Sequence, residues 1–153
     1  MIAVSDTSPI NYLVLIDCIH VLPAFFEQIV VPQAVFAELG SLAAPERIQH
    51  WLANHTGWFG VQTFQGTDPS LQHLDPGERD AILLAESLKA DLILLDENLG
   101  RQAARQRNLK VTGTLGLLDR AASQGLIDLS AALDRLSQTN FRVAPKLLQQ
   151  FRS

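Results

Sequence analysis

Two aspartates close apolar runs that read as strands: Asp6 ends MIAVSD, and Asp96 stands at the end of ADLILLDE. In open parallel sheets, ligands bind beyond the carboxyl ends of the strands, so both acids stand where chemistry is expected. Each also has a structural reading. Asp6 could cap the next helix, but Ser8 followed by Pro9 makes the better cap and first-turn proline, which leaves Asp6 without a structural task. Asp96 could cap its own following helix, in competition with Asn98. Glu38 is the third acid. In PQAVFAELG the residues Val31, Ala34, Val35 and Leu39 form an apolar helical stripe, and Glu38 falls on it. A carboxylate pointing coreward near a helix end needs a partner, a metal or a raised pKa. The alternative is a half-exposed flank position. Glu78 is the fourth. In LDPGERDAILLA it precedes Ala81 and Ile82 on the inward stripe, yet Asp75, Pro76 and Glu78 also resemble a capping box.

If the four acids converge, their mutual repulsion requires protonation or a cation. Oxygen-only donors select Mg²⁺ or Mn²⁺ over zinc. The histidines His20, His50, His55 and His73 show no ligand spacing, and Cys18 is the lone cysteine. A hard cation held by carboxylates suits phosphodiester hydrolysis, where it offsets phosphate charge and activates water. Arg101 fits the same chemistry. It falls in the first turn of a helix, where the dipole disfavours a cation, with Arg105 one turn on and Arg107 and Lys110 beyond. These residues either hold phosphates or balance Asp96 and Glu97 on a solvated face.

The elements that must position these acids alternate along the chain. Strands are expected over Ile2–Val4, Ile29–Val31, Phe59–Phe64, Asp91–Leu95 and Lys110–Thr112. Helices are expected from Ser8 to about Ile16, Leu22–Phe26, Pro32–Leu39, Pro45–Ala53, Pro76–Lys89, Leu99–Gln106, Leu115–Gln124, Ser130–Leu136, and a last one from Pro145. Thr67–Ser70 reads as a loop. Strands alternating with helices imply one α/β domain over residues 1–153, a three-layer α/β/α sandwich around a parallel sheet.

Bulk properties agree with a folded domain. The chain has 153 residues, 47% of them hydrophobic and 18% charged, which is globular rather than disordered. No apolar run is long enough to span a bilayer. With MIAVSD too acidic for a secretory signal and one cysteine, a cytoplasmic location is expected. The net charge of −4 is unevenly spread: residues 1–78 hold eight acids against Arg47, and residues 79–153 hold eleven bases against eight acids. This is either an acidic site beside a basic surface or two differently solvated faces.

The ordered set of motifs resembles a known family. Asp6 followed by Thr-Ser-Pro, then PxxVxxEL, LDPGExxAIxLA, LLLDExxGR and VTGTLGLL, is similar to the PIN-domain proteins, in the branch close to VapC-type toxin ribonucleases. The resemblance runs from Val4 to the last helix. It implies an Mg²⁺- or Mn²⁺-dependent endoribonuclease with Asp6, Glu38, Glu78 and Asp96 as its acidic quartet. It places Thr7 and Ser8 where a hydroxyl often stands near the first acid, and Glu97 where some members carry a further acid. It also implies a homodimer and a small antitoxin partner. The third acid is Glu78 where many toxins have Asp, so the longer side chain, or Asp80 beside it, would alter the metal geometry.

Other acid-based α/β enzymes fit less well. A haloacid-dehalogenase-like phosphatase wants an Asp where Ser8 stands, and a phosphoacceptor receiver wants a lysine that VTGT lacks. The main alternative is a non-catalytic PIN-like module that binds RNA or another protein. The segment NFRVAPKLLQQFR, apolar and basic, is expected to pack on the domain.

Overall fold

Why the strands alternate as they do is visible in their burial. In the computed structural model, which describes residues 1–55, 57–64 and 66–141, the strands are β1 (Ile2–Ser5), β2 (Gln28–Pro32), β3 (Phe59–Gln62), β4 (Leu92–Leu94) and β5 (Val111–Thr112). All pair in parallel, in the order β3-β2-β1-β4-β5. Successive side chains of a strand point to opposite faces. Ala3, Ile29, Val31 and Leu94 enter one apolar cluster, whereas Val4, Val30, Ile93 and Leu95 enter another. Both faces are therefore apolar, and both are covered.

The helices divide between these faces. The first cluster holds buried side chains of α1 (Thr7–Leu15), α2 (Val21–Phe25), α3 (Gln33–Leu39), α4 (Glu46–Ala53), α7 (Thr114–Ser123) and α8 (Leu129–Ser137). The second holds α5 (Pro76–Leu88) and α6 (Asn98–Gln106), through residues such as Ile82, Leu84 and Ala104. The result is the expected three-layer α/β/α sandwich. Ile82 is fully buried, and truncating it to Ala is expected to cost about 2–5 kcal/mol.

Most expected elements appear within a residue or two, and the differences are local. Helix α1 starts at Thr7, so Asp6, not Ser8, occupies the cap position, although its side chain makes no capping hydrogen bond. Ser8 lies inside the helix. Glu97 rather than Asn98 or Asp96 precedes α6 as its cap residue. The stretch expected as a loop contains a 3-10 turn at Pro69–Leu71, where Asp68 accepts from the Ser70 amide. Strand β3 stops at Gln62 rather than Phe64. The helix expected from Pro145 lies outside the described residues.

The strand order creates the crevice. From β1 the chain passes to β2 and β3 on one side, then returns to β4 and β5 on the other. The carboxyl ends of β1 and β4 are thus the point where the connections diverge, the usual place for a ligand site in such sheets. The Asp6 amide donates to the Leu94 carbonyl at 3.0 Å, tying the two strand ends together.

Candidate active site

Asp6 leaves β1 directly into this crevice and is only 5% exposed. Glu78 reaches it from the first turn of α5 and is 6% exposed. The local sequence explains how. Asp75 Oδ1 accepts from the Glu78 amide at 2.8 Å, and Pro76 fills the first helical position. The cap thus comes from Asp75 alone, and the Glu78 carboxyl faces the crevice. Glu38 reaches the same crevice from α3, where Thr7 Oγ1 donates to its Oε2 at 2.9 Å. Asp6, Glu38 and Glu78 line one cavity of about 530 Å³ with Thr7, Ser8 and Glu97.

One sequence expectation needs correction, and two further residues of the expected set, Asp80 and Arg101, fall outside the cavity lining. Glu38 is exposed rather than coreward, while Val35 and Leu39 are buried. It stands near the end of a seven-residue helix, on the flank of the apolar stripe that faces the cavity, with Leu39 beside it still in the core. Asp80 does not line the cavity with the acids of the quartet. It is half-buried one turn along α5, and burial raises its carboxyl above the usual range. Arg101 is not in the lining either. Its guanidinium donates to the Leu95 carbonyl at 2.8 Å, so part of its donor capacity is spent within the fold.

Asp96, the fourth expected acid, does not line the cavity, although its charge acts on Asp6. The two oxygens of Asp96 accept from Thr114, one from the amide at 2.7 Å and one from the hydroxyl at 2.9 Å. The carboxylate therefore clasps the start of α7, a bond that no spacing in the sequence announces. Burial still pushes Asp96 up, against the lowering effect of the two Thr114 bonds and of Arg101.

The electrostatics follow from this crowding. Burial pushes Asp6 up to about 7. The Thr7 amide opposes the shift, while Asp75, Glu38 and Asp96 add to it. Burial likewise pushes Glu78 up to about 8, with Asp75, Asp6 and Glu97 reinforcing it. Asp75, assigned from sequence to the helix cap alone, is thus the charged neighbour that acts most strongly on both buried acids. It also lines the cavity.

Glycines make the close approach possible. A Cβ on Gly77 would stand 3.1 Å from Asp6 Oδ1, and one on Gly100 would stand 3.3 Å from Glu78 Oε2. A Cβ on Gly113 would lie 2.7 Å from Asp96 Oδ1 and 3.0 Å from the Leu95 carbonyl. Each of three acids is therefore bordered by a residue without a side chain. The spacing of these glycines in LDPGE, LGR and TGT was visible, but their partners were not.

Fold and site together define an open parallel α/β/α sandwich with an acid-lined cleft at its switch point. The chain belongs to the PIN-domain family, matching the family model DUF3368, a PIN domain, over residues 2–153. This is a nuclease-type family whose members generally are hydrolases and typically use divalent metals. Among solved structures, the chain is similar to a PilT N-terminus domain protein from the hyperthermophilic archaeon Sulfolobus solfataricus. That likeness has 17% identity and a TM-score of 0.53, and it covers 94% of this chain and 100% of the other. No curated protein matches the chain. Among the described residues, no helix is long and apolar enough to cross a membrane.

The donor set can be weighed against such a metal. Among the described residues, no three His, Cys, Asp or Glu side chains are already gathered as a ligand group. Mg²⁺ does not require this, because it keeps several waters and is commonly bound through one or two carboxylates. Two buried carboxyls held above their usual range, in a lining dominated by carboxylate and hydroxyl oxygens, suit a hard cation that replaces their protons.

Proposed function

We propose that this protein is an endoribonuclease that hydrolyses RNA phosphodiester bonds with Mg²⁺ or Mn²⁺, held by Asp6, Glu38, Glu78 and Asp96. The observation that carries the reading is the convergence of Asp6, Glu38 and Glu78, from three distant elements, on one cleft at the switch point. Asp96 lies outside that lining and acts electrostatically on Asp6. When bound, the cation supplies charge neutralisation for the phosphate and activation of water.

The chain's own groups have separate tasks in this reading. Thr7 holds the Glu38 carboxylate by its hydroxyl. Thr114 fixes both oxygens of Asp96, which restricts how that side chain turns. Ser8, in the lining, offers a hydroxyl to the substrate. Arg101 uses the donors not taken by Leu95 to hold a flanking phosphate. Glu97 is an accessory acid of the rim, and Asp80 acts at most through α5.

The test is cleavage of RNA by purified, partner-free protein with Mn²⁺ or Mg²⁺, and its suppression by EDTA. Asp6→Asn and Glu78→Gln are each expected to lower the rate by a hundredfold or more, at roughly the scale of losing an electrostatic catalytic group, while circular dichroism stays native. Unchanged cleavage in both variants would sink the mechanism. RNA binding without cleavage by any metal-loaded preparation would favour a non-catalytic PIN-like module.

The motif order close to VapC-type toxins supports a finer reading, in which the protein is the cytoplasmic toxin of a toxin–antitoxin pair and works as a homodimer. A small protein encoded next to it would be the antitoxin. Induced expression should then arrest growth, and co-expression of that neighbour should relieve the arrest. Light scattering during gel filtration tests the dimer.

A further inference from the structure

Five carboxylates line the candidate cleft: Asp6, Glu38, Asp75, Glu78 and Glu97. Among the described residues no lysine or arginine lines it. A cation in the centre can offset the scissile phosphate, but an RNA strand brings a row of phosphates, and those at the rim still meet a wall of like charge. A donor at the rim is needed. The Thr7 hydroxyl hydrogen is directed to Glu38, and Ser8 and Asn98, also in the lining, offer only uncharged donors.

His73 lines the same cleft. It is the one side chain in that lining able to carry positive charge. It is exposed, and among the described residues it makes no hydrogen bond or ion pair. The backbone around it is anchored on both sides. Leu71 and Leu74 are buried at 2% and 5% exposure in the same apolar cluster as α5. The Leu74 amide donates to the Leu71 carbonyl at 3.1 Å. Before the turn, Arg107 joins Asp68 and Glu86 in ion pairs and donates to Ser70 at 3.0 Å. After it, Asp75 caps α5. An exposed imidazole is thus presented at the cleft from a braced turn, the arrangement expected of a preorganised contact rather than of a loose loop side chain.

We propose that His73 is a substrate-binding residue that donates an imidazole N–H to a non-bridging phosphate oxygen of the RNA strand at the cleft rim. The proposal rests on the ribonuclease reading above and adds to it the residue that receives the strand.

The probe is a fluorescein-labelled single-stranded RNA of random sequence. Cleavage is followed with Mn²⁺ in the wild-type background, and binding is followed by anisotropy in the Glu78→Gln background. His73→Ala is expected to raise KM and Kd by about five- to tenfold, as for loss of one hydrogen bond to a charged group. Its kcat should stay within about twofold, and its melting temperature should match the wild type, since the side chain is exposed. His73→Gln, which keeps an N–H donor, should recover most of the affinity. His73→Phe, which keeps a ring without a donor, should bind as weakly as the alanine variant.

Wild-type KM and Kd in His73→Ala would overturn the proposal. Wild-type affinity in His73→Phe would also overturn it, because ring stacking would then be the contact. If the wild type binds this RNA but does not cleave it, the catalytic reading fails while the anisotropy series still decides on His73. If it neither binds nor cleaves, both fall.

Discussion

Asp6 and Glu78 hold their protons more tightly in the folded protein than carboxyls do in an unfolded chain, at about 7 and about 8 against ordinary values of 3.8 and 4.5. Burial is the first cause for both. The folded state therefore binds more protons than the unfolded one between those limits, and stability falls as pH rises through that window. The contribution is fully present below the ordinary carboxylate values and is lost as pH passes about 7 and then about 8. Urea unfolding of the metal-free protein should show this decline. In Glu78→Gln the decline should be shallower by about 1–3 kcal/mol between about pH 5 and about pH 8. Parallel curves for the two proteins would contradict it. Mn²⁺ should raise the melting temperature more at the alkaline end, where both carboxyls are free to bind it. The same substitution that stabilises the metal-free protein is expected to abolish cleavage.

At the scale of elements, the acids are held by the starts of helices and by the glycines beside them. Gly113 precedes α7, and a Cβ there would collide with Asp96 and with the Leu95 carbonyl, which cannot swing aside. Gly113→Ala is expected to cost about 1–3 kcal/mol, as for other overpacked positions, and to lower RNA cleavage by displacing Asp96. Gly57→Ala, where the added methyl meets nothing within 4 Å, is the neutral control. Thr114→Val tests the same clasp from the other side. It keeps the amide bond to Asp96 but removes the hydroxyl bond, at a cost of about 1–2 kcal/mol, and should reduce activity if Asp96 must be held still. Thermal melts and initial rates measured together separate the two effects. Arg107 braces the turn before α5 by joining Asp68, Ser70 and Glu86. Asp68 is drawn down to about 2, through its bonds from Arg107 first and from Ser70 next.

For the whole molecule, the acidic side of the chain's uneven charge has a location. The acid-rich half supplies most of the cleft lining, while Arg101 and Arg105 stand on α6 next to Asp96 and Glu97. In the ribonuclease reading, the strand enters an acidic cleft from a basic neighbouring surface. Binding should then weaken with salt, with a log–log slope of about −0.7 for each phosphate contacted on a single strand. Arg105→Ala, at an exposed position, should reduce the magnitude of that slope. An unchanged slope would place the strand elsewhere.

Much of the fold was legible in the residues, for a physical reason. Runs such as LILL are apolar on both sides because the parallel sheet is covered on both faces, and Asp75-Pro76 marks a helix start through local hydrogen bonding alone. These are short-range effects, and the sequence by itself determined them: five strands, the alternation with helices, and the position of Asp6 and Asp96 beyond strand ends. Periodicity failed at the flank of a helix. Glu38 lies on a coreward stripe by spacing, yet it stands on the flank of α3 that faces the cleft, while Leu39 beside it stays in the core. The Asp96 bond to Thr114, the pressure of Asp75 on Asp6 and Glu78, and the placement of His73 join residues that no local pattern connects. Only the tertiary structure decided them, because strand order determines which helix starts meet at the crevice, and burial there, with the crowding of neighbouring acids, determines which carboxyls keep their protons.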